Sequence, residues 1–233
     1  MRGDPLTKVI GMSDRPVALI TGGSRGLGAA VARALSPTYD LILGGRGGGK
    51  LDEICKELDA RPFPVELTAI NERDVEGLGR IDLLVHSAGV VSLGPVGETS
   101  IRVWRETFEV NLFAVAELTR LLLPSLRAAK GQVVLVNSGA GRNGHPGWGS
   151  YAASKWALRA YADVLRQEEP GLRVTTVYPG RIDTDMQRGV RRQEGGDYEP
   201  HRYLKAESVA GAVVAAVTAP ADAHVTEVVV RPR

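Results

Sequence analysis

Val17-Ala18-Leu19-Ile20-Thr21-Gly22-Gly23-Ser24-Arg25-Gly26-Leu27-Gly28-Ala29-Ala30 is the stretch that decides the fold. Residues 17–21 read as a short buried strand, and residues 26–35 carry the apolar spacing of a helix. Between them glycines crowd the turn. Glycine suits a chain that must turn tightly and bring backbone N–H groups against a pyrophosphate, with the helix N-terminus offering partial positive charge to the anion. An ordinary flexible turn would use the same residue, and the chain holds 28 glycines, including a second cluster at 44–49 to which no such role attaches. Placement directly after the first apolar strand and before a helix is what favours dinucleotide binding.

Outward from that turn, short apolar runs alternate with helical stretches. Strands are predicted at 17–21, 41–44, 64–67, 81–86, 132–137, 173–178 and 226–230. Helices are predicted at 26–35, 51–58, 104–129, 151–168 and 208–218, with no more than two turns at 71–78. The strands are almost continuously apolar, as expected where both faces are covered. The pattern predicts an α/β doubly wound parallel sheet of about seven strands, Rossmann-like, in a single domain over 14–233. Residues 1–13 read as a loose N-terminal arm. The least regular stretch, 181–205, holds five Arg and three Gly and is expected to be a substrate lid.

Composition narrows the possibilities. In 233 residues the 29 basic and 27 acidic side chains leave a net charge of +2, which gives no bulk reason to expect a nucleic-acid partner. The single cysteine, Cys55, can form no internal disulfide and no Cys-based metal site, so a reducing, cytoplasmic compartment is expected. No apolar run approaches the length needed to span a bilayer, so no membrane partner and no metal site are expected.

The end of the second strand bears on which dinucleotide is held. A site for NAD places a carboxylate there to accept from the ribose 2′-hydroxyl. Here Leu41-Ile42-Leu43-Gly44-Gly45-Arg46 ends without an acid and with an arginine. Arg46, and Arg25 inside the glycine turn, suit a 2′-phosphate, which a carboxylate would repel. Two solvated arginines are the plainer alternative. Further on, Tyr151 and Lys155 are four apart at the start of a helix and so share a face. An ammonium beside a phenol is expected to lower its pKa and fit it for proton exchange with a carbonyl or alcohol. Ser138 lies just past the fifth strand, where a hydroxyl can donate to a carbonyl oxygen as charge develops.

Taken together these motifs resemble the short-chain dehydrogenase/reductase family, single-domain branch, from about Val17 to Arg231. The Thr-Gly-x-x-x-Gly-x-Gly spacing is met by Thr21, Gly22, Gly26 and Gly28. The family's catalytic tetrad maps onto Asn111, Ser138, Tyr151 and Lys155, and its Pro-Gly turn onto Pro179 and Gly180, with Ile182 and Thr184 at positions that hold the nicotinamide carboxamide. The resemblance implies strand order 3-2-1-4-5-6-7. It also implies cofactor contacts from Gly22, Ser24, Arg25, Gly26, Leu27, Gly28, Arg46, Glu66, Leu67, His86, Ala88, Gly89, Tyr151, Lys155, Pro179, Gly180, Ile182 and Thr184. In the implied chemistry Tyr151 exchanges the proton, Ser138 polarises the carbonyl, Lys155 lowers the tyrosine pKa and bonds the nicotinamide ribose, and Asn111 bends its helix and holds a relay water.

Two motifs depart from the family. Asn-Asn-Ala-Gly reads His86-Ser87-Ala88-Gly89, so another group must brace that loop, with His86 one possibility. The usual acidic contact to adenine reads Glu66-Leu67. Val90, Gly139, His145, Trp148, Arg181 and Met186 are candidates for the substrate pocket, while Arg188, Arg191 and Arg192 read better as a solvated face. The implied protein is an NADP(H)-dependent oxidoreductase of a carbonyl/alcohol pair, forming a homodimer or homotetramer by analogy. The alternative is a non-enzymatic NADP(H)-binding regulatory protein on the same fold.

Overall fold

Alternation along β1 (Val17–Thr21) sets up the architecture. Ala18 and Ile20 turn to one face of the sheet, Leu19 to the other, and all three are fully buried. The computed structural model describes residues 14–233; the arm expected at 1–13 lies outside the described residues. After β1 come α1 (Gly26–Leu35), β2 (Asp40–Gly45), α2 (Gly49–Leu58), β3 (Arg61–Pro64), a single turn α3 (Glu72–Val75) and β4 (Leu83–His86). The second half holds α4 (Ile101–Phe108), α5 (Ala114–Ala129), β5 (Gln132–Val136), α6 (Gly149–Glu168), β6 (Arg173–Pro179), α7 (Asp185–Gln193), α8 (Ala206–Val217) and β7 (Glu227–Val230). All neighbouring strands pair in parallel in the order 3-2-1-4-5-6-7, as expected.

One face packs on α1, α2 and α8 through Val31, Leu35, Ile54, Val209 and Val213. The other packs on α5 and α6 through Leu118, Leu122, Leu126, Leu158 and Leu165. Each such side chain contributes about 1.5–3 kcal/mol by leaving water. The chain leaves β1 toward β2 in its first half and toward β4 in its second, so a crevice opens beyond the carboxyl ends of these strands. Among the described residues no helix is long and apolar enough to cross a membrane.

Three elements depart from expectation. β3 spans Arg61–Pro64 rather than 64–67, and Leu67–Ala69 is a 3-10 turn. The strand carries two prolines, which normally argue against one, but it lies at the sheet edge. Val65 donates to Gly45 O at 3.0 Å, so odd-numbered residues face β2 and Pro62 and Pro64 turn their missing donors outward. The helix expected over 104–129 begins at Ile101 and is interrupted by a π-helical turn, Glu109–Phe113.

The third departure is α7, which lies inside the supposedly irregular 181–205. Its buried side is only Gln187 and Val190, too few to register as a period. Thr184 Oγ1 caps it by accepting from Gln187 N at 3.3 Å. Local pairs order the remainder: Arg181 bonds Glu194 twice, at 2.8 and 2.6 Å, Arg191 bonds Glu194 at 2.6 Å, and Arg188 stacks on Tyr198.

Candidate active site

The carboxyl ends of the central strands open into one cleft of about 1370 Å³. That exceeds the usual range for a single small ligand and suits a dinucleotide with a second molecule. Its first wall is the glycine turn. Gly22 has φ +66°, a left-handed conformation, and a Cβ there would lie 2.8 Å from Ala88 N. A Cβ at Gly28 would collide with the Gly22 carbonyl. Both positions therefore exclude side chains, leaving bare backbone and the start of α1 along the wall.

Thr21 braces this wall. Its Oγ1 accepts from Ser87 N at 3.2 Å and from Ala88 N at 3.3 Å, and donates to Val85 O at 3.4 Å. That is the bracing for which the sequence offered His86. His86 is 3% exposed, faces α5 and does not line the cleft, so its expected cofactor contact is not found. Its Nε2 lies 2.9 Å from Thr119 Oγ1, whose own proton goes to Val115 O at 2.7 Å. The imidazole must therefore donate from Nε2. Burial, with the nearby Lys155 ammonium adding to it, pushes its pKa down to about 3, so it stays neutral.

Ser24, Arg25, Gly26, Leu27, Arg46, Glu66, Leu67, Ala88 and Gly89 all line the cleft. Gly47, Gly48, Gly49 and Lys50 join them, so the second glycine cluster, set aside in the sequence, also forms wall at the start of α2. Arg25 Nη1 lies 4.0 Å from Asp185 Oδ2 on α7, with both side chains more than half exposed. The Glu66 carboxylate is engaged locally, accepting from Thr68 Oγ1 at 3.0 Å.

The chemistry-bearing groups meet where β5 and α6 come together. Ser138, two residues past the end of β5, accepts from Ala140 N at 3.2 Å, and its hydroxyl faces the Tyr151 phenol closely enough to act on that phenol's pKa. Lys155 is 4% exposed; its Nζ donates to Val136 O at 2.9 Å and lies 5.9 Å from the Tyr151 ring centre. Burial lowers the Lys155 pKa to about 8. Burial also raises the Tyr151 pKa, and the nearby Ser138 hydroxyl only partly offsets this. The expectation that Lys155 depresses the phenol is thus corrected: the ammonium is turned to a β5 carbonyl, and desolvation dominates.

Two side chains that sequence reasoning missed hold this arrangement. Asn137 Oδ1 accepts from Ser138 N at 2.8 Å while its Nδ2 donates to Lys155 O at 2.9 Å, tying β5 to α6. Ser154 Oγ donates to Tyr151 O at 2.7 Å and accepts from Asn111 Nδ2 at 3.1 Å. Asn111 sits fully buried in the π-helical turn, which swings its amide onto Val90: Oδ1 accepts from Val90 N and Nδ2 donates to Val90 O, each at 2.9 Å.

Pro179, Gly180, Ile182 and Thr184 also line the cleft, as do Val90, Gly139, His145, Trp148, Arg181 and Met186. Trp148 meets Tyr151 edge to face at 5.8 Å and carries Arg181 over its ring at 5.9 Å. Arg188, Arg191 and Arg192 are not on the wall. Arg231, just past β7, does reach it, and nothing in its sequence context signals that.

A parallel sheet with a glycine cradle at its crossover point and a Ser–Tyr–Lys group across the cleft defines a dinucleotide-binding oxidoreductase. A family model described as short chain dehydrogenase matches residues 16–195, and the chain belongs to that family, whose members use nicotinamide cofactors. An uncharacterized oxidoreductase of Schizosaccharomyces pombe is 31% identical over 214 residues, covering 85% of each chain. One from Saccharomyces cerevisiae is 34% identical, covering 81% of this chain and 79% of its own. Among solved structures, an alcohol dehydrogenase from Thermococcus sibiricus complexed with 5-hydroxy-NADP superposes with a TM-score of 0.83 at 29% identity, covering 94% of this chain and 97% of its own. A Shigella flexneri short chain dehydrogenase complexed with NADP gives 0.83 at 26% identity with the same coverage.

Proposed function

We propose that this protein is an NADP(H)-dependent oxidoreductase that interconverts a carbonyl compound and its alcohol, with Tyr151 as the acid/base. The observation that carries this reading is that the Ser138 and Tyr151 side chains line the same cleft as the side-chain-free turn at Gly22 and Gly28. The cradle fits a pyrophosphate, and Arg25, Arg46 and Lys50 suit a 2′-phosphate on the adenosine side. The NADP-type ligands of the two structural relatives support the same choice. Ile182 and Thr184 would hold the nicotinamide end.

When bound, the reduced nicotinamide supplies hydride to the carbonyl carbon. The protein's share is the proton and the geometry. Ser138 and Tyr151 both donate to the carbonyl oxygen, and Tyr151 gives up its proton as the carbon–oxygen double bond becomes an alcohol. One hydride and one proton thus complete the reduction. Burial keeps the phenol protonated at neutral pH, which favours reduction; oxidation needs the phenolate and so a higher pH. Lys155, one turn further along α6, would bond the nicotinamide ribose, and Asn111 holds the loop at Val90 and, through Ser154, the start of α6 in register.

A carbonyl panel with NADPH, followed by loss of its absorbance, tests the reading. The parent protein consumes NADPH with at least one aldehyde or ketone, and Tyr151→Phe lowers that rate by about 10²–10⁴-fold while NADPH fluorescence still reports binding. Retained turnover in a folded Phe variant, or no consumption across a broad panel, defeats it.

A further inference from the structure

Four guanidinium groups line the cleft: Arg25 in the glycine turn, Arg46 after β2, Arg181 after β6 and Arg231 after β7. The last two differ in one respect. Arg181 is held in a two-point pair by Glu194, at 2.8 and 2.6 Å, so its charge is already answered. Arg231 has no carboxylate within 4 Å among the described residues; its two hydrogen bonds, both from Nη1, go to the carbonyls of Tyr178 at 2.7 Å and Val230 at 3.2 Å.

A guanidinium carries five N–H donors in a planar fork. With Nη1 pinned to two carbonyls, the donors of Nη2 and Nε are left without a protein acceptor. Their position is fixed by the two glycines that flank them. An ideal Cβ on Gly139 would lie 3.7 Å from Arg231 Nη2, and one on Gly180 would lie 3.7 Å from its Cδ. Gly139 follows Ser138 in the chain, and neither glycine puts a side chain between the fork and the cleft. The guanidinium therefore lies beside the residue that follows Ser138, whose hydroxyl would polarise the carbonyl, on the β7 side of the cleft.

We infer that Arg231 recognises a carboxylate on the substrate, so that the physiological reactant is an oxo acid (or its hydroxy acid) with a short spacer between carbonyl and carboxylate. The inference rests on the carbonyl/alcohol reading above. A planar carboxylate matches the two remaining edges of the fork. A single uncompensated guanidinium suits one negative charge, whereas a phosphate dianion would call for a second cation, and Arg181 is committed to Glu194.

The test compares para-formylbenzoate with its methyl ester, and succinic semialdehyde with its methyl ester. In the parent protein kcat/KM for each acid exceeds that of the ester by roughly 10- to 100-fold. Arg231→Met brings the ratio to near one; Arg231→Lys, with the charge but not the fork, keeps a smaller preference. A parent ratio at or below one, or an unchanged ratio in folded Arg231→Met protein, overturns the assignment and leaves the proposed reaction standing. Should Arg231→Met not fold, the parent ratio and Arg231→Gln decide. Calorimetry of benzoate and benzamide with the protein–NADPH complex separates the reverse case. A benzoate preference abolished by Arg231→Met without turnover of any carbonyl supports the carboxylate site and overturns the reaction. No benzoate preference overturns the site.

Discussion

Lys155 shows how a single side chain sets stability against use. Its ammonium is buried with one carbonyl partner, and its pKa falls to about 8. In the unfolded chain the lysine titrates at its ordinary, higher value, so between these two pH values the unfolded state binds more protons and stability rises with pH. Below about pH 8 the folded protein bears the full cost of burying the charge. Lys155→Met removes that cost along with the Val136 bond, and a net gain of about 1 kcal/mol at pH 7 is expected, turning into a net loss toward pH 10 as activity falls at every pH. Denaturant melts at both pH values check this; a Met variant less stable than the parent at pH 7 contradicts it. The sequence made Tyr151 and Lys155 legible through their four-residue spacing. It could not reveal Thr21, Asn137 or Ser154 as braces, since a hydroxyl or amide bonding across 66 residues, as Thr21 does to Ser87, leaves no local pattern.

At the scale of elements, α6 and the turn leading into α5 keep apolar side chains exposed. Trp156 and Val164 lie eight residues apart along α6 and are 46% and 50% exposed, and Phe113, at the head of α5, is 52% exposed. We propose that these helices meet a second copy of the chain, in line with the homo-oligomer expected from family resemblance. Light scattering should give a multiple of 24.9 kDa, and Trp156→Glu with Val164→Glu should shift it toward one. A parent protein that stays a monomer at all concentrations ends the proposal. Elements with long apolar periods, such as α1 and β1, were readable to the residue. β3 and α7 were not, because each is defined by what flanks it: a sheet edge that tolerates Pro62 and Pro64, and a Thr184 cap before a helix with only two buried side chains.

The whole molecule is a cleft graded by charge. Arg25, Arg46 and Lys50 gather at one end, while at the other Arg181 is neutralised and Arg231 stands alone. Replacing Arg25 and Arg46 together by alanine should weaken NADPH binding roughly 100-fold and NADH binding far less, since only the former has a 2′-phosphate to lose. Equal losses in fluorescence titrations of both nucleotides would remove the phosphate assignment.

The outward prolines of β3 bear on how such molecules behave when crowded. A strand arriving from a neighbour would meet carbonyl oxygens along that rim and no N–H groups to answer them. Lateral growth of the sheet into a fibre is therefore blocked on that side, and any ribbon of stacked molecules would have to start at β7 instead.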